Sequence, residues 1–178
     1  MDLAAEVGAR VRALRTERGM SLSELARRSG VGKGTLSELE GGRRNPTLET
    51  LYALTTALEL PLSTALHTTG LPARLSGAAV NAVLTERFED AEAVTETYRI
   101  RIRAGSFQES TGHTAGATEH IVVLGGTAHV GELAGPPRRV GPGEHAAWAA
   151  DVPHLYRAAE EEDVDALLVV RYPRPAIS

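Results

Sequence analysis

The sequence predicts two domains of different class, an all-α bundle of five short helices followed by an all-β domain. Apolar residues recur at helical spacing through the first 66 residues, and they alternate with period two beyond residue 80. Between these regions lies TTGLPARLSGAA, a stretch of small residues with glycine and proline. We therefore place the first domain at residues 1–68, a linker at 69–79 and the second domain at 80–178.

Composition indicates a soluble protein with packed cores. Hydrophobic residues make up 42% of the 178 residues, and the absence of cysteine excludes disulfides and thiolate metal sites. No apolar run approaches the ~20 residues of a membrane helix. The N-terminal stretch MDLAAEVGARVRALR mixes acidic and basic residues, unlike a secretory signal. We expect a cytoplasmic protein with no membrane partner.

The net charge of −4 is unevenly distributed. Residues 1–68 carry a net charge of +1, and residues 69–178 carry one of −5. Binding to nucleic acid needs only one basic face, so the acidic total does not exclude it.

Residues 3–18 predict an amphipathic helix, in which apolar residues recur at helical spacing. Ser21 and Glu24 match the capping box S-x-x-E at the start of a second helix. Gly30 fits the left-handed position that ends this helix without steric cost. A third helix follows over about residues 33–40. Two helices joined by a short glycine turn form a helix-turn-helix unit.

Proline and threonine mark the start of the last two helices. Pro46 stops the preceding loop from continuing as helix, and Thr47 can cap a fourth helix. Pro61 fits the first turn of a fifth short helix, PLSTALH. His67 ends that helix, and compensation of the helix dipole is a better explanation for it than a catalytic or metal-binding role. Five helices with short connections make a bundle that can fold alone.

The stretch SLSELARRSGVGKGTLSELEGGRRNP, from residue 21 to 46, resembles the repressor-like helix-turn-helix regulators of bacteria and phages, the Xre family. The resemblance covers about residues 6–66. It rests on S-x-x-E-L-A, then G-V-x-K-G-T-L-S-x-L-E-x-G, then R-x-P-T-L-E-T-L. It implies a transcriptional regulator that binds a double-stranded DNA operator, usually as a homodimer spanning two half-sites.

The third helix is the expected reading element, because the N-terminal part of the second helix of such a unit enters the major groove. The side chains and backbone that this places nearest the bases belong to Lys33, Gly34, Thr35, Ser37 and Glu38. The family positions that contact phosphate are matched by Ser21, Arg43 and Arg44. Gly34 either lets the backbone approach DNA or relieves crowding at the turn. The resemblance also implies a salt bridge between Arg15 and Glu40.

Short strands with frequent turns predict an all-β sandwich or barrel in the second domain. The predicted strands cover residues 80–88, 95–103, 119–130 with a break at Gly125-Gly126, 146–150, 154–158 and 166–172. In TETYRIRIR, the side chains of Arg99, Arg101 and Arg103 share one face. These arginines can face solvent, a dimer partner or an anionic ligand.

Residues 104–158 resemble the cupin family, whose small barrel carries two histidine-containing motifs. His113 is followed by Glu119 and, after six more residues, by Gly126, as in the first motif. His154 matches the histidine of the second motif, after the turn Gly141-Pro142-Gly143. The second histidine of the first motif is replaced by Ala115, which coordinates nothing.

The retained ligands permit two interpretations. His113, Glu119 and His154 can form a facial triad for a divalent metal, with iron, zinc, nickel and manganese equally compatible. The other interpretation is a vestigial site, with His113 in a flexible glycine-rich loop. His120, His129 and His145 match no ligand position and are expected to be ordinary strand or surface residues. Trp148 and Tyr156 can line a ligand pocket in the barrel or belong to its core.

Two functions follow from these resemblances. The leading one is a non-enzymatic, ligand-responsive transcriptional regulator, whose barrel dimerises and senses a small-molecule effector. The alternative is a cupin metalloenzyme of the iron-dependent oxidase or epoxidase type that carries an appended helix-turn-helix domain. Activation and repression are both compatible with the leading function.

Overall fold

The computed structural model describes residues 3–66 and 74–174, which form two compact units that divide between residues 73 and 74. The first unit contains five helices and the second contains ten strands. Within the described residues, no helix is long and apolar enough to cross a membrane. His67 and residues 69–73 of the predicted linker lie outside the described residues.

The five helices follow the predicted order. They are α1 (Leu3–Glu17), α2 (Leu22–Ser29), α3 (Lys33–Glu40), α4 (Leu48–Ala57) and α5 (Ser63–Leu66). Helix α5 is shorter than the predicted segment PLSTALH, and Pro61 lies in the turn before it, where its carbonyl accepts a hydrogen bond from the Thr64 amide.

Local capping fixes where the helices begin and end. Ser21 Oγ accepts a hydrogen bond from the Glu24 amide (3.1 Å), and Thr47 Oγ1 accepts one from the Thr50 amide (3.2 Å). Gly30 ends α2 in the left-handed conformation, with φ +71°. The Glu24 carboxylate accepts hydrogen bonds from the side chains of Arg27 and Arg28. The left-handed conformation of Gly30 thus ends α2 just before the turn to α3.

The core of the first unit consists of aliphatic side chains from α1 to α4 and from the segments that flank α5 and α4. These fully or nearly fully buried residues are Val7, Val11, Leu14, Leu25, Leu36, Leu39, Leu51, Leu54, Leu58 and Leu62. Helices α1 and α3 approach most closely at Gly8, where a Cβ would lie 2.0 Å from the Leu39 carbonyl oxygen. Only glycine fits there, so Gly8 sets the distance between α1 and α3.

The second unit is an antiparallel arrangement of ten strands. They are β1 (Arg74–Ser76), β2 (Val80–Glu89), β3 (Ala93–Ile102), β4 (Phe107–Ser110), β5 (Thr118–Gly125), β6 (Ala128–Glu132), β7 (Arg138–Val140), β8 (His145–Ala149), β9 (His154–Ala158) and β10 (Val164–Pro173). A six-stranded sheet has the order β1-β2-β3-β10-β5-β8, and a four-stranded sheet has the order β4-β9-β6-β7.

The two sheets enclose one core, because buried and exposed residues alternate along most strands. In one row across the six-stranded sheet, Glu96 lies opposite Val170, Val170 opposite Glu119, and Glu119 opposite Trp148. All four residues are buried. Two acidic residues therefore share the inner face of this sheet.

Three short strands were not predicted. Strand β1 lies within the predicted linker, and β4 and β7 lie in segments where no strand was predicted. Each has three or four residues, too few to show a period of two. Strand β1 forms because it pairs with β2, with Leu75 opposite Ala82 and buried.

The arginines of β3 pair with acidic residues on the outer surface. Arg99 donates two hydrogen bonds to Asp165 (3.2 and 2.7 Å), and Arg101 donates to Asp163 (2.6 Å). Arg103 donates to the Ala78 carbonyl. Of the three roles left open by the sequence, the exposed position with acidic partners in the same chain supports the solvent-facing one.

A single methyl group at residue 8 should destabilise the first unit. Gly8→Ala places Cβ against the α3 backbone, and overpacking of this kind lowers the free energy of unfolding by about 2 kcal/mol. The matched control is Gly34→Ala in α3, whose Cβ would meet nothing within 4 Å. This control should leave stability unchanged or raise it by up to about 1 kcal/mol. Urea unfolding followed by helical circular dichroism measures both; equal effects would contradict the close approach at Gly8.

Candidate functional site

One face of α3 is largely exposed. Leu36 and Leu39 are fully buried and hold the helix against the bundle. The predicted base-reading residues lie on the opposite side: Lys33, Gly34, Ser37 and Glu38 are exposed, and Thr35 is half-buried. The helix therefore presents a polar face whose position is fixed by a buried apolar face.

Gly34 does not relieve crowding. A Cβ added at this residue would have no heavy atom within 4 Å, so the crowding interpretation is wrong. The open space lies at the N-terminal end of α3, the part of the helix that faces DNA in helix-turn-helix proteins. The bare backbone is thus available for close approach by a partner.

The loop after α3 carries two exposed arginines. Arg44 lies 3.4 Å from Glu38 Oε2, a long contact between two exposed side chains. Arg43 lies over Gly41, since a Cβ at Gly41 would come within 2.7 Å of an Arg43 guanidinium nitrogen. Neither arginine has a buried partner among the described residues, so both guanidinium groups can reach an external anion.

The predicted pair of Arg15 and Glu40 is confirmed. Arg15 Nε and Nη2 donate to the two carboxylate oxygens of Glu40, each at 2.7 Å, and Nη1 donates to the Met20 carbonyl (2.8 Å). The side chains are only 11% and 7% exposed. The hydrogen bond to Glu40 raises the pKa of Arg15. This bidentate pair joins the end of α1 to the end of α3 and is structural.

The second unit brings together the three predicted metal ligands. His113 lies before β5, Glu119 lies in β5 and His154 begins β9, so the cluster joins a loop with one strand of each sheet. All three side chains are at least 95% buried. One ligand atom from each residue lies within 4.8 Å of the others.

The loop that carries His113 is anchored, contrary to the expectation of a flexible setting. The His113 amide donates to the Ala150 carbonyl (2.7 Å), and the Gly116 amide donates to Asp151 Oδ2 (2.8 Å). At Gly112, a Cβ would lie 2.4 Å from the Asp151 carbonyl oxygen, so the loop packs directly on the segment between β8 and β9. Ala115 is exposed.

Glu119 is the centre of the cluster. His113 Nε2 lies 2.9 Å from Glu119 Oε1, His154 Nε2 lies 3.5 Å from Oε2, and the Tyr156 hydroxyl donates to Oε2. Burial opposes ionisation of the carboxyl group, but the bond from His113, the charges of both histidines and the bond from Tyr156 lower its pKa. The group is therefore a carboxylate rather than a neutral acid.

His154 is oriented for ligation. Its Nδ1 lies 2.8 Å from the Val152 carbonyl oxygen, which only accepts, so Nδ1 carries the hydrogen in the neutral ring. In this neutral form the lone pair of Nε2 points toward Glu119, whereas in the protonated form Nε2 carries a hydrogen and pairs with Glu119 Oε2 at 3.5 Å. This nitrogen is buried and has no hydrogen-bond partner among the described residues. An orphaned lone pair beside a buried carboxylate fits a metal ion, and a backbone carbonyl commonly fixes such a ligand.

The two aromatic residues predicted near this site lie inside the barrel. The rings of Trp148 and Tyr156 meet edge to face with centroids 5.9 Å apart, and each also lies close to the His154 ring. Both residues are more than 90% buried. Trp148 Nε1 is buried without a hydrogen-bond partner in the described part of the chain. A donor in this position can bind an acceptor group of a ligand.

Comparison with known proteins identifies the family. The Helix-turn-helix family matches residues 11–64. Over 176 residues the chain is 33% identical to the HTH-type transcriptional regulator SutR of Escherichia coli (strain K12), covering 97% of this chain and 98% of SutR. The chain belongs to the family of HTH-type transcriptional regulators. The resemblance to Xre-type regulators is confirmed.

A solved structure extends the similarity to both units of this regulator. The crystal structure of an HTH_3 family transcriptional regulator from Vibrio cholerae matches with a TM-score of 0.82 and 27% identity, over 97% of this chain and 98% of that one. The predicted fold, an all-α helix-turn-helix domain followed by an all-β cupin domain, is confirmed. Hydroxypropylphosphonic acid epoxidase from S. wedmorenis matches at 18% identity and a TM-score of 0.45, too distant to carry an argument about function.

One feature of the regulator's barrel was missed. Glu96 and Tyr98 are both fully buried on β3, and the Tyr98 hydroxyl donates to the Glu96 carboxylate. The alternation of TETYRIRIR contained the signal, because Glu96 falls on the same face as Ile100 and so on the inner face. The barrel interior thus holds a second acidic residue, which is separated from Glu119 by Val170 in the same row of the sheet.

Proposed function

We propose that this regulator reads an operator in double-stranded DNA with the exposed face of α3. The observation that carries the proposal is the contrast between the two faces of that helix: buried Leu36 and Leu39 fix its position, whereas the side chains of the polar face are largely exposed. Lys33 can donate to guanine, Thr35 can offer its hydroxyl or methyl group, and Glu38 can accept from cytosine. Ser37 lies on the same face, and Gly34 lets the backbone come close.

Phosphate contacts from Ser21, Arg43 and Arg44 would position the helix in the groove. Ser21 Oγ accepts the capping hydrogen bond, which leaves its hydroxyl hydrogen free to donate to a phosphate oxygen. The two arginines are exposed on the loop that leaves α3. Chromosomal DNA is the target of such a regulator, and we place its action in the cytoplasm.

Removing the two loop arginines tests the DNA interface. Arg43→Ala combined with Arg44→Ala should weaken binding to all sequences and reduce the slope of log K against log salt by about two, since two phosphate contacts are lost. The measurement is fluorescence anisotropy with DNA from the promoter region of the protein's own gene, at several salt concentrations.

A matched control removes the same charge elsewhere. Arg138→Ala combined with Arg139→Ala takes two adjacent exposed arginines from β7 in the second unit. This control should leave the salt slope unchanged. Equal slopes for the two double variants would contradict the placement of DNA at α3.

We also propose that the cupin domain makes the protein a homodimer. One bundle supplies a single α3, and helix-turn-helix proteins usually read two half-sites about one turn of DNA apart. Sedimentation equilibrium of the full chain should give twice the chain mass of 18.9 kDa. A mass of one chain at the concentrations that bind DNA would reject the dimer.

The barrel interior is the proposed sensor. A metal ion held by His113, Glu119 and His154 would have two nitrogen ligands and one oxygen ligand, a set that suits Fe²⁺, Zn²⁺, Ni²⁺ or Mn²⁺ and leaves positions for an effector. Trp148 and Tyr156 would contact that small molecule. An effector changes DNA binding only through unequal affinity for the DNA-competent and DNA-incompetent forms of the dimer.

Glu119→Gln tests the metal proposal. The amide keeps the shape of the carboxylate but not its charge, so the affinity for Fe²⁺ added under anaerobic conditions should fall by at least about tenfold. Elemental analysis after dialysis measures bound iron. The control is His129→Ala, which removes a histidine of β6, a strand that contributes no member of the cluster. Equal iron retention in all three proteins would reject the site.

The same cluster favours the alternative of an iron-dependent oxidase or epoxidase. The two functions differ in whether metal binding is accompanied by sequence-specific DNA binding. Stoichiometric iron without sequence-specific DNA binding would support the enzyme, whereas operator binding that responds to the metal or a small molecule supports the regulator.

A further inference from the structure

Two histidines outside the buried cluster lie side by side on the outer face of the six-stranded sheet. His120 belongs to β5 and lies opposite Ala147, while His145 belongs to β8 and lies opposite Val122. They are therefore diagonal neighbours on adjacent strands. Their rings are nearly parallel, with an interplanar angle of 25° and centroids 5.5 Å apart.

The two rings are within hydrogen-bond distance of each other, and the separation of their nitrogens also matches that of two ligands on one metal ion. His120 Nδ1 lies 3.3 Å from His145 Nε2. Hydrogen bonds donated by nitrogen have a most common length of about 2.9–3.0 Å. Two imidazole nitrogens at about 2.0–2.1 Å from a tetrahedral metal ion are separated by about 3.3–3.4 Å. The observed spacing is that of two ligands on one ion.

The surroundings leave room for an ion to enter. His145 is exposed and His120 is half-buried, so solvent reaches both rings. On β8 the outward neighbours Ala147 and Ala149 carry only methyl groups, and exposed Val122 lies opposite His145. No ion pair found in residues 3–66 and 74–174 involves either histidine, so no carboxylate competes for their nitrogens.

We propose that His120 and His145 form a bidentate site for a divalent late transition-metal ion, Cu²⁺, Ni²⁺ or Zn²⁺. Imidazole suits these ions, and Cu²⁺ should bind most tightly of the three. Water completes the coordination. The site is separate from the buried cluster, because Glu119 points inward from β5 and the next residue, His120, points outward. It does not depend on the proposed sensor or on DNA binding.

Titration with Cu²⁺ tests the site in the full chain. Glu119→Gln serves as the background, so that the buried cluster contributes little. This protein should bind one Cu²⁺ per chain, with coupling to two nitrogens in the electron paramagnetic resonance spectrum. Adding either His120→Ala or His145→Ala should weaken binding by roughly a hundredfold, since the second imidazole then no longer binds within the same molecule.

A matched histidine removal controls for nonspecific binding. His129→Ala, on β6 of the other sheet, should leave Cu²⁺ affinity unchanged. The titrations are repeated in the chain with Glu119 intact, where the variants at residues 120 and 145 should each lose one bound ion. Thermal unfolding verifies that the variants fold. Cu²⁺ affinity that survives loss of either histidine, or that falls equally with His129→Ala, overturns the proposal.

Discussion

A carboxylate shut away from water organises the interior of the second unit. Glu119 has no exposed surface, and an isolated charge in such a place is unstable unless donors surround it. His113 and Tyr156 supply hydrogen bonds, and His154 lies 3.5 Å from the second carboxylate oxygen. Glu119 lies on β5 of one sheet, whereas these groups come from a loop and from β9 of the other sheet, so stabilising the charge requires the loop, β5 and β9 to keep fixed positions.

In the first unit, a nearly buried ion pair also holds two elements in a fixed relation. Arg15 and Glu40 are nearly buried, and their bidentate pairing joins the ends of α1 and α3. The absent side chain of Gly8 lets the same two helices approach closely. The Arg15–Glu40 ion pair and the close helix packing at Gly8 therefore set the orientation of α3. The polar face of that helix contributes little to the orientation, because its side chains are exposed.

Much of this structure was predictable from local chemistry. The caps at Ser21 and Thr47, the left-handed Gly30 and the bounds of β9 follow from residue type and spacing. The gathering of His113, Glu119 and His154 was implied by the family resemblance. The short strands β1, β4 and β7 were not predictable, because pairing with distant strands forms them and three or four residues carry no periodic signal.

Two other outcomes depended on tertiary contacts. The acidic partners of Arg99 and Arg101 lie more than sixty positions along the chain, so sequence alone left those arginines unassigned. The pairing of His120 with His145 similarly requires the register of β5 with β8, which turns two unremarkable histidines into neighbours. Residue type indicated what each side chain could do, and strand register decided which of them meet.

The separation of roles on α3 has an evolutionary consequence. Lys33, Ser37 and Glu38 can change without disturbing Leu36, Leu39 and Glu40, the side chains of α3 that hold the helix in place. Mutations on the outer face are therefore nearly neutral for folding. A duplicate of the gene could therefore acquire a different polar face on α3 by substitutions there alone, while the second unit stayed unchanged.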